Sequence, residues 1–125
     1  MNMIIPINPV AKPRQTRADV WKKRPVVVRY RKFADELRAF VKKNNFQASE
    51  ELILEFHLEM PKSWSKKKRA EMEWKPHRQR PDIDNLTKAV LDALYAEDCV
   101  VWSLSIVKQW NSSGFIKLEN KWETG

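Results

Sequence analysis

The apolar positions change period several times along the chain, and each change marks an element. Met3, Ile4 and Ile5 ahead of Pro6 read as a short first strand. From Pro6 to Pro25, with Pro9 and Pro13 between, regular helix is excluded, because proline lacks the amide donor and locks φ; this stretch reads as an arm. Val26, Tyr30, Phe33, Leu37, Phe40 and Val41 then recur at helical spacing until Asn44-Asn45 breaks the pattern. Glu51 to Glu59 alternates Leu52, Leu54, Phe56 and Leu58 against Ile53, Glu55, His57 and Glu59, the period of a half-buried strand. Pro61 ends it, and Ser65 to Met72 reads as a short basic helix with Ser63 or Ser65 as its N-cap. Leu86, Ala89, Val90, Ala93 and Leu94 share one arc of a helix running from Asp82 to about Tyr95. Val101 to Trp110 alternates again, and Phe115 to Leu118 can return after the Asn111-Ser112-Ser113-Gly114 turn, which predicts a C-terminal hairpin. The order β, α, β, short α, α, β, β predicts a single small α+β domain over residues 1–125, one sheet layered with helices.

Composition narrows the chemistry. A 125-residue chain has room for one core, and at this size it buries only about two-thirds of its unfolded surface, so dimerisation is unsurprising. The two glycines, Gly114 and Gly125, provide no Gly-rich loop to cradle a phosphate, which removes the nucleotide-binding fingerprints and any nucleotide cofactor. One cysteine, Cys99, and two histidines, His57 and His77, supply neither a disulfide framework nor a zinc cluster, and a reducing, cytoplasmic setting follows. Cys99 reads as a buried small hydrophobe, and most of the six tryptophans as core. Apolar runs such as Val26 to Val28 fall far short of a membrane span, and no segment resembles a signal peptide; a soluble protein with no membrane partner is expected.

Charge changes the picture once it is located. The net charge of +8 divides into +8 over residues 1–50, +1 over 51–75 and −1 over 76–125. Between Lys12 and Lys32 nine basic residues face Asp19 alone. Such a segment wants a polyanion, most commonly nucleic acid, unless it is only a solvated face. Lys12, Arg14, Arg17, Lys22, Lys23 and Arg24 on the arm, Lys66, Lys67, Lys68 and Arg69 on the short helix, and His77, Arg78 and Arg80 in the loop between Pro76 and Pro81 are the candidate DNA contacts. Trp21 among Lys22, Lys23 and Arg24 is a candidate for base stacking.

Against this background residues 80–98 form the densest acidic stretch. Asp82 and Asp84 stand two apart where extended chain becomes helix; neighbouring carboxylates repel unless a cation or hydrogen-bond donors compensate, and hard oxygen ligands of this kind suit Mg²⁺. Lys88 lies one turn along from Asp84, placed either to pair with it or to face a phosphate. The bland alternative is that Asp82 or Asp84 caps the helix and Asp84 forms an ordinary i, i+4 pair with Lys88.

The run Arg80-Pro81-Asp82-Ile83-Asp84-Asn85-Leu86-Thr87-Lys88, continued to Leu94 and followed by Asp98, closely resembles the signature of the RusA family of Holliday junction resolvases. Lys12-Pro13-Arg14, the Pro61-Lys62-Ser63-Trp64-Ser65 block and Lys75-Pro76-His77 are similar to phage-type members, and the likeness spans roughly residues 9–110. The resemblance implies a Mg²⁺-dependent endodeoxyribonuclease, also served by Mn²⁺, working as a homodimer with a mixed-sheet subunit on four-way DNA junctions in repair and recombination. It implies Asp82, Asp84 and Asp98 as metal ligands and Lys88 as the catalytic cation, with Asp92 in a supporting role. Glu97-Asp98 stands where the family usually shows Asp-Asp, so Glu97 is an alternative third ligand. Two other readings compete: a non-catalytic basic DNA-binding protein, and a nuclease of the same chemistry acting on flaps or other branched DNA.

Overall fold

The computed structural model describes residues 2–13 and 25–121. Strand β1 (Asn2–Ile5) is followed by an irregular segment, helix α1 (Pro25–Lys43), strand β2 (Glu51–Glu59), helix α2 (Lys66–Met72), helix α3 (Ile83–Leu94), a single 3₁₀ turn (Asp98–Val100), strand β3 (Ser103–Asn111) and strand β4 (Phe115–Asn120). Among the described residues these make a small α+β fold, a four-stranded mixed sheet with three helices. No helix among them is long and apolar enough to cross a membrane.

The expected C-terminal hairpin is not formed. The sheet order is β1-β4-β2-β3, so β2 lies between the two last strands, parallel to β3 and antiparallel to β4. A short polar turn between two alternating segments looks the same whether the strands pair or straddle a third. Here residues 112–114 step across the end of β2, a distance of about 10 Å, or two strand spacings. The step is possible because β2 leaves the sheet there: the Met60 amide still bonds Asn111 O at 2.9 Å, and Pro61 then turns the chain away. Gly114 at the far side leaves room for the Asn8 side chain, whose Oδ1 lies 1.5 Å from where a Cβ would stand. Parallel pairing of β2 with β3 needs a long crossover, which α2 and α3 provide.

Leu52, Leu54 and Phe56 of β2 are fully buried, as are Ile116 and Leu118 of β4 and Ile5 of β1. Phe33, Leu37 and Val41 of α1 and Leu86, Ala89 and Val90 of α3 join the same core, so both long helices cover one sheet face. The opposite face is thinly covered, with Ile4 and Val107 exposed. Asn45, at φ 54°, is the left-handed residue that stops α1, a conformation asparagine tolerates. Two other readings are corrected. Cys99 is exposed, because it sits in the 3₁₀ turn rather than on a strand. Of the described tryptophans only Trp110 is buried; Trp74 and Trp102 are more than half exposed, as they flank the sheet's ends.

Two ties fix the C-terminal end of α3. Arg38 Nε of α1 donates to Ala93 O at 2.9 Å, satisfying a terminal carbonyl, and the Tyr95 hydroxyl donates to Ser49 O at 2.5 Å ahead of β2. Burial, with a smaller contribution from Glu50, pushes the Tyr95 phenol up to about 12 from its ordinary 10.0. Below pH 10 both folded and unfolded chains keep the proton; above it the unfolded chain ionises first, so this residue's contribution falls as pH rises through about 12. Tyr95→Phe is therefore expected to cost about 1 kcal/mol at pH 7. The gap between variant and parent should narrow from pH 10 upward, as read from urea unfolding at several pH values.

Candidate active site

Two of the candidate acids lie at the start of α3. Asp82 occupies the N-cap position in extended conformation, yet its carboxylate makes no capping hydrogen bond; the first helical bond runs from the Leu86 amide to the Asp82 carbonyl. The capping explanation for Asp82 thus loses its basis. Asp84 lies in the first turn, where the helix dipole favours a negative charge. Leu86, Ala89, Val90 and Ala93 turn toward the core, which leaves Asp84 and Lys88 on the exposed side. Thr87 Oγ1 closes on Ile83 O at 2.8 Å, a local bond that consumes its hydroxyl.

Asp84, Lys88 and Asp98 line one open cleft of about 340 Å³, floored by Ile83, Leu91 and Ile106. Asp98 arrives from the 3₁₀ turn, which β3 places beside α3. Lys88 Nζ stands 3.3 Å from Asp98 Oδ2 and 3.8 Å from Asp92 Oδ1, so its partners are these two acids rather than Asp84. Asp82 opens onto the adjoining hollow, with Ala11, Arg80, Pro81 and Asn85. Glu97, the alternative third ligand, is exposed at the N-cap of the 3₁₀ turn, and its side chain makes no capping bond there. Among the described residues no three acidic, His or Cys side chains form a cluster able to hold an ion. Like charges repel, and Asp98 is instead neutralised by the Lys88 ammonium. The donor chemistry still fits a hard divalent cation: two carboxylates share the cleft, and a third stands uncapped at the N-cap of the helix that carries Asp84.

Asp92 organises the cations around the cleft. It bonds the Lys12 ammonium as well as approaching Lys88, and this bond to Asp92 outweighs burial to hold the Lys12 pKa above its ordinary value. The Lys12 backbone amide also donates to Asn85 O at 3.0 Å. Lys12, expected as a phosphate contact on the arm, is docked on α3 beside the acids.

One residue escaped the sequence reading. Lys108 of β3 donates to the carbonyls of Gln79 and Pro81, both at 2.7 Å, and so holds the strand of chain that delivers Asp82. Burial lowers its pKa, and Asp82 partly offsets that. The only signal in the sequence was a lysine on the core-facing period of an otherwise apolar strand.

The other expected contacts are scattered. Arg14, Arg17, Lys22, Lys23, Arg24 and Trp21 lie outside the described residues. Ser65 caps α2, accepting from the Lys68 amide at 3.1 Å, and the helix buries none of its residues. Lys68 lies over the Trp64 ring at 4.3 Å and Arg69 donates to Pro61 O at 3.1 Å, whereas Lys66 and Lys67 extend from the exposed first turn. Arg78 and Arg80 are exposed in the loop. His77, read as a loop-surface residue, is buried instead: its amide bonds Lys108 O at 2.9 Å and its ring packs 4.1 Å from Trp110. Burial first, and the Lys108 charge second, lower its pKa.

No curated protein matches the chain. The sequence model of the family described as endodeoxyribonuclease RusA matches residues 6–119, a span that takes in the docked Lys12, the acidic first turn of α3, Asp98 and the whole of β3. With that match covering nearly all of the chain, the protein belongs to the RusA family of endodeoxyribonucleases, whose activity is Holliday junction resolution.

Proposed function

We propose that the protein is a Mg²⁺-dependent nuclease that resolves four-way DNA junctions by paired nicks during recombination and repair. The observation that carries this reading is the shared cleft of Asp84, Lys88 and Asp98, with Asp82 uncapped at the start of the same helix. A pure DNA binder gains nothing from exposed acids beside its phosphate contacts, and Asp82 makes no capping bond that would account for it.

Asp82, Asp84 and Asp98 are the residues to hold the cation. Bound there, Mg²⁺ or Mn²⁺ would supply Lewis-acid polarisation of the phosphate and lower the pKa of the attacking water. The Lys88–Asp98 pair is exposed and contributes at most about 1 kcal/mol, so it opposes rearrangement of Asp98 only weakly. Lys88 then offsets the negative charge that grows on the phosphate as water attacks and one ester P–O bond breaks. Asp92, held by Lys12, keeps the Lys88 ammonium over the cleft. Lys66 and Lys67 of α2, with Arg78, Arg80 and the basic arm over residues 6–25, bind backbone phosphates and set affinity rather than sequence choice. A homodimer presents two such sites to the two opposed strands of a two-fold symmetric junction.

Asp84→Asn is expected to lower cutting of synthetic junctions in Mg²⁺ by at least about 100-fold, while binding in a mobility-shift assay stays within a few-fold. Efficient cutting by this variant would rule the assignment out, and parallel assays on flaps and plain duplex separate the junction from other branched DNA. Replacing Lys66 and Lys67 together by Gln, in a helix that buries nothing, is expected to make the slope of log affinity against log salt shallower by about 1 to 2, with cleavage at saturating enzyme little changed.

A further inference from the structure

Lys108 occupies a position on β3 that its strand otherwise gives to apolar side chains. It follows Leu104 and Ile106 on the face turned to the helices and pairs in register with the fully buried Phe56 of β2. Its ammonium is held by the Gln79 and Pro81 carbonyls, both at 2.7 Å, and its own carbonyl accepts from the His77 amide at 2.9 Å. Just beyond, the Trp74 amide bonds Trp110 O and the Trp110 amide bonds Lys75 O, so the chain from Trp74 onward is laced to the outer edge of β3. Lys108 fastens the last part of it, up to the peptide that leads into Asp82.

Asp82 is itself in a conformation that calls for a capping bond. Its backbone is extended, at φ −71° and ψ 143°, and its carbonyl accepts from the Leu86 amide. The amides of Asp84 and Asn85 precede that first helical bond and have no helical acceptor. Rotation about χ1 would bring the Asp82 carboxylate to them, an exchange that favours the capped rotamer about fivefold at an ordinary helix start and is reinforced by the helix dipole. The carboxylate nonetheless stays off. Arg80 shares the Asp82 hollow, but it is exposed and its charge is screened by water and salt. The Lys108 ammonium is half-buried and fixed by two bonds, and the Asp82 charge offsets part of the effect of burial on it.

We propose that Lys108 is a positioning residue: it fixes the chain that precedes Asp82 and presents a positive charge that outcompetes the helix end, which leaves the Asp82 carboxylate free to take a cation with Asp84. A carboxylate engaged by the helix amides would be a poorer ligand, so the missing cap and the half-buried lysine have one explanation. This inference rests on the reading of Asp82 as a ligand of the nuclease's cation.

The test reads the metal-free protein first. In amide exchange followed by NMR, Lys108→Met is expected to slow exchange at Asn85 about fivefold as Asp82 swings onto the helix end. Mere loosening of the segment would speed it. Asp82→Asn, which keeps the side chain's shape and removes its attraction to Lys108, is expected to show the same protection and keeps the proposal testable if the methionine variant does not fold. In a second arm Mn²⁺ is titrated into the intact proteins and followed by electron paramagnetic resonance. Lys108→Met should weaken Mn²⁺ binding about tenfold, and Lys108→Arg, which keeps the charge and the donors, should restore it to within about threefold. Unchanged or faster exchange in both variants, protection in Asp82→Asn but not in a folded Lys108→Met, or undiminished Mn²⁺ affinity in Lys108→Met each overturns the proposal. A parent that holds Mn²⁺ and cuts no branched DNA overturns the nuclease reading and leaves the role of Lys108 standing; a parent that holds no Mn²⁺ overturns both.

Discussion

The burial of one face of β2 is the constraint from which the rest of the structure follows. Leu52, Leu54 and Phe56 lose all contact with water, and side chains that large need strands on both sides and helices above. That forces β2 to the centre, sends β3 and β4 to opposite flanks, and makes the β2-to-β3 link long enough to carry α2 and α3. Leu86 and Val90 dock α3 on the same core, and with those positions fixed the helix has one orientation in which Asp84 and Lys88 remain outside. β3 then begins next to α3, so the turn that leads into it brings Asp98 to Lys88. The candidate site is where the crossover returns to the sheet, and its acids are separated in sequence by the helix that presents them.

Around the acids the charges are arranged in a line: Lys12, Asp92, Lys88, Asp98. Alternation of sign lets each group lie near the next without a buried, uncompensated charge. None of the pairs is deeply buried, and exposed pairs contribute little to stability. Their value is positional. Asp92 sits at the least exposed end of α3's outer face and gives two ammonium groups a fixed reference on a helix that the core already holds.

Much of this was legible in the sequence, for identifiable reasons. The elements were, because the switch from period two at 51–59 to helical spacing at 86–94 reports which face each segment buries. The acidic turn was, because Asp82 and Asp84 at a helix start in a basic chain are electrostatically conspicuous. Strand order was not: alternation says that β3 and β4 each have a buried face but not which neighbour each strand takes, so a three-residue link passed for a hairpin turn. The roles of Lys12 and Lys108 were hidden likewise. One was counted with the arm and the other with a strand, and only the docking of residues 9–12 and 77–81 against α3 and β3 reveals what their ammonium groups hold.

Lys12 links the two halves of the charge distribution. Its amide bonds Asn85 O in the first turn of α3, and its side chain bonds Asp92 two turns further on, so the last described residues before the basic run at 14–24 are fastened along the helix that carries the acids. Two points of attachment a helix turn or more apart fix both the position and the direction of this segment on α3. Pro13 stiffens the exit by fixing its own φ and restricting the residue before it. A single lysine thus ties the segment ahead of the basic run to the helix whose outer face carries Asp84 and Lys88.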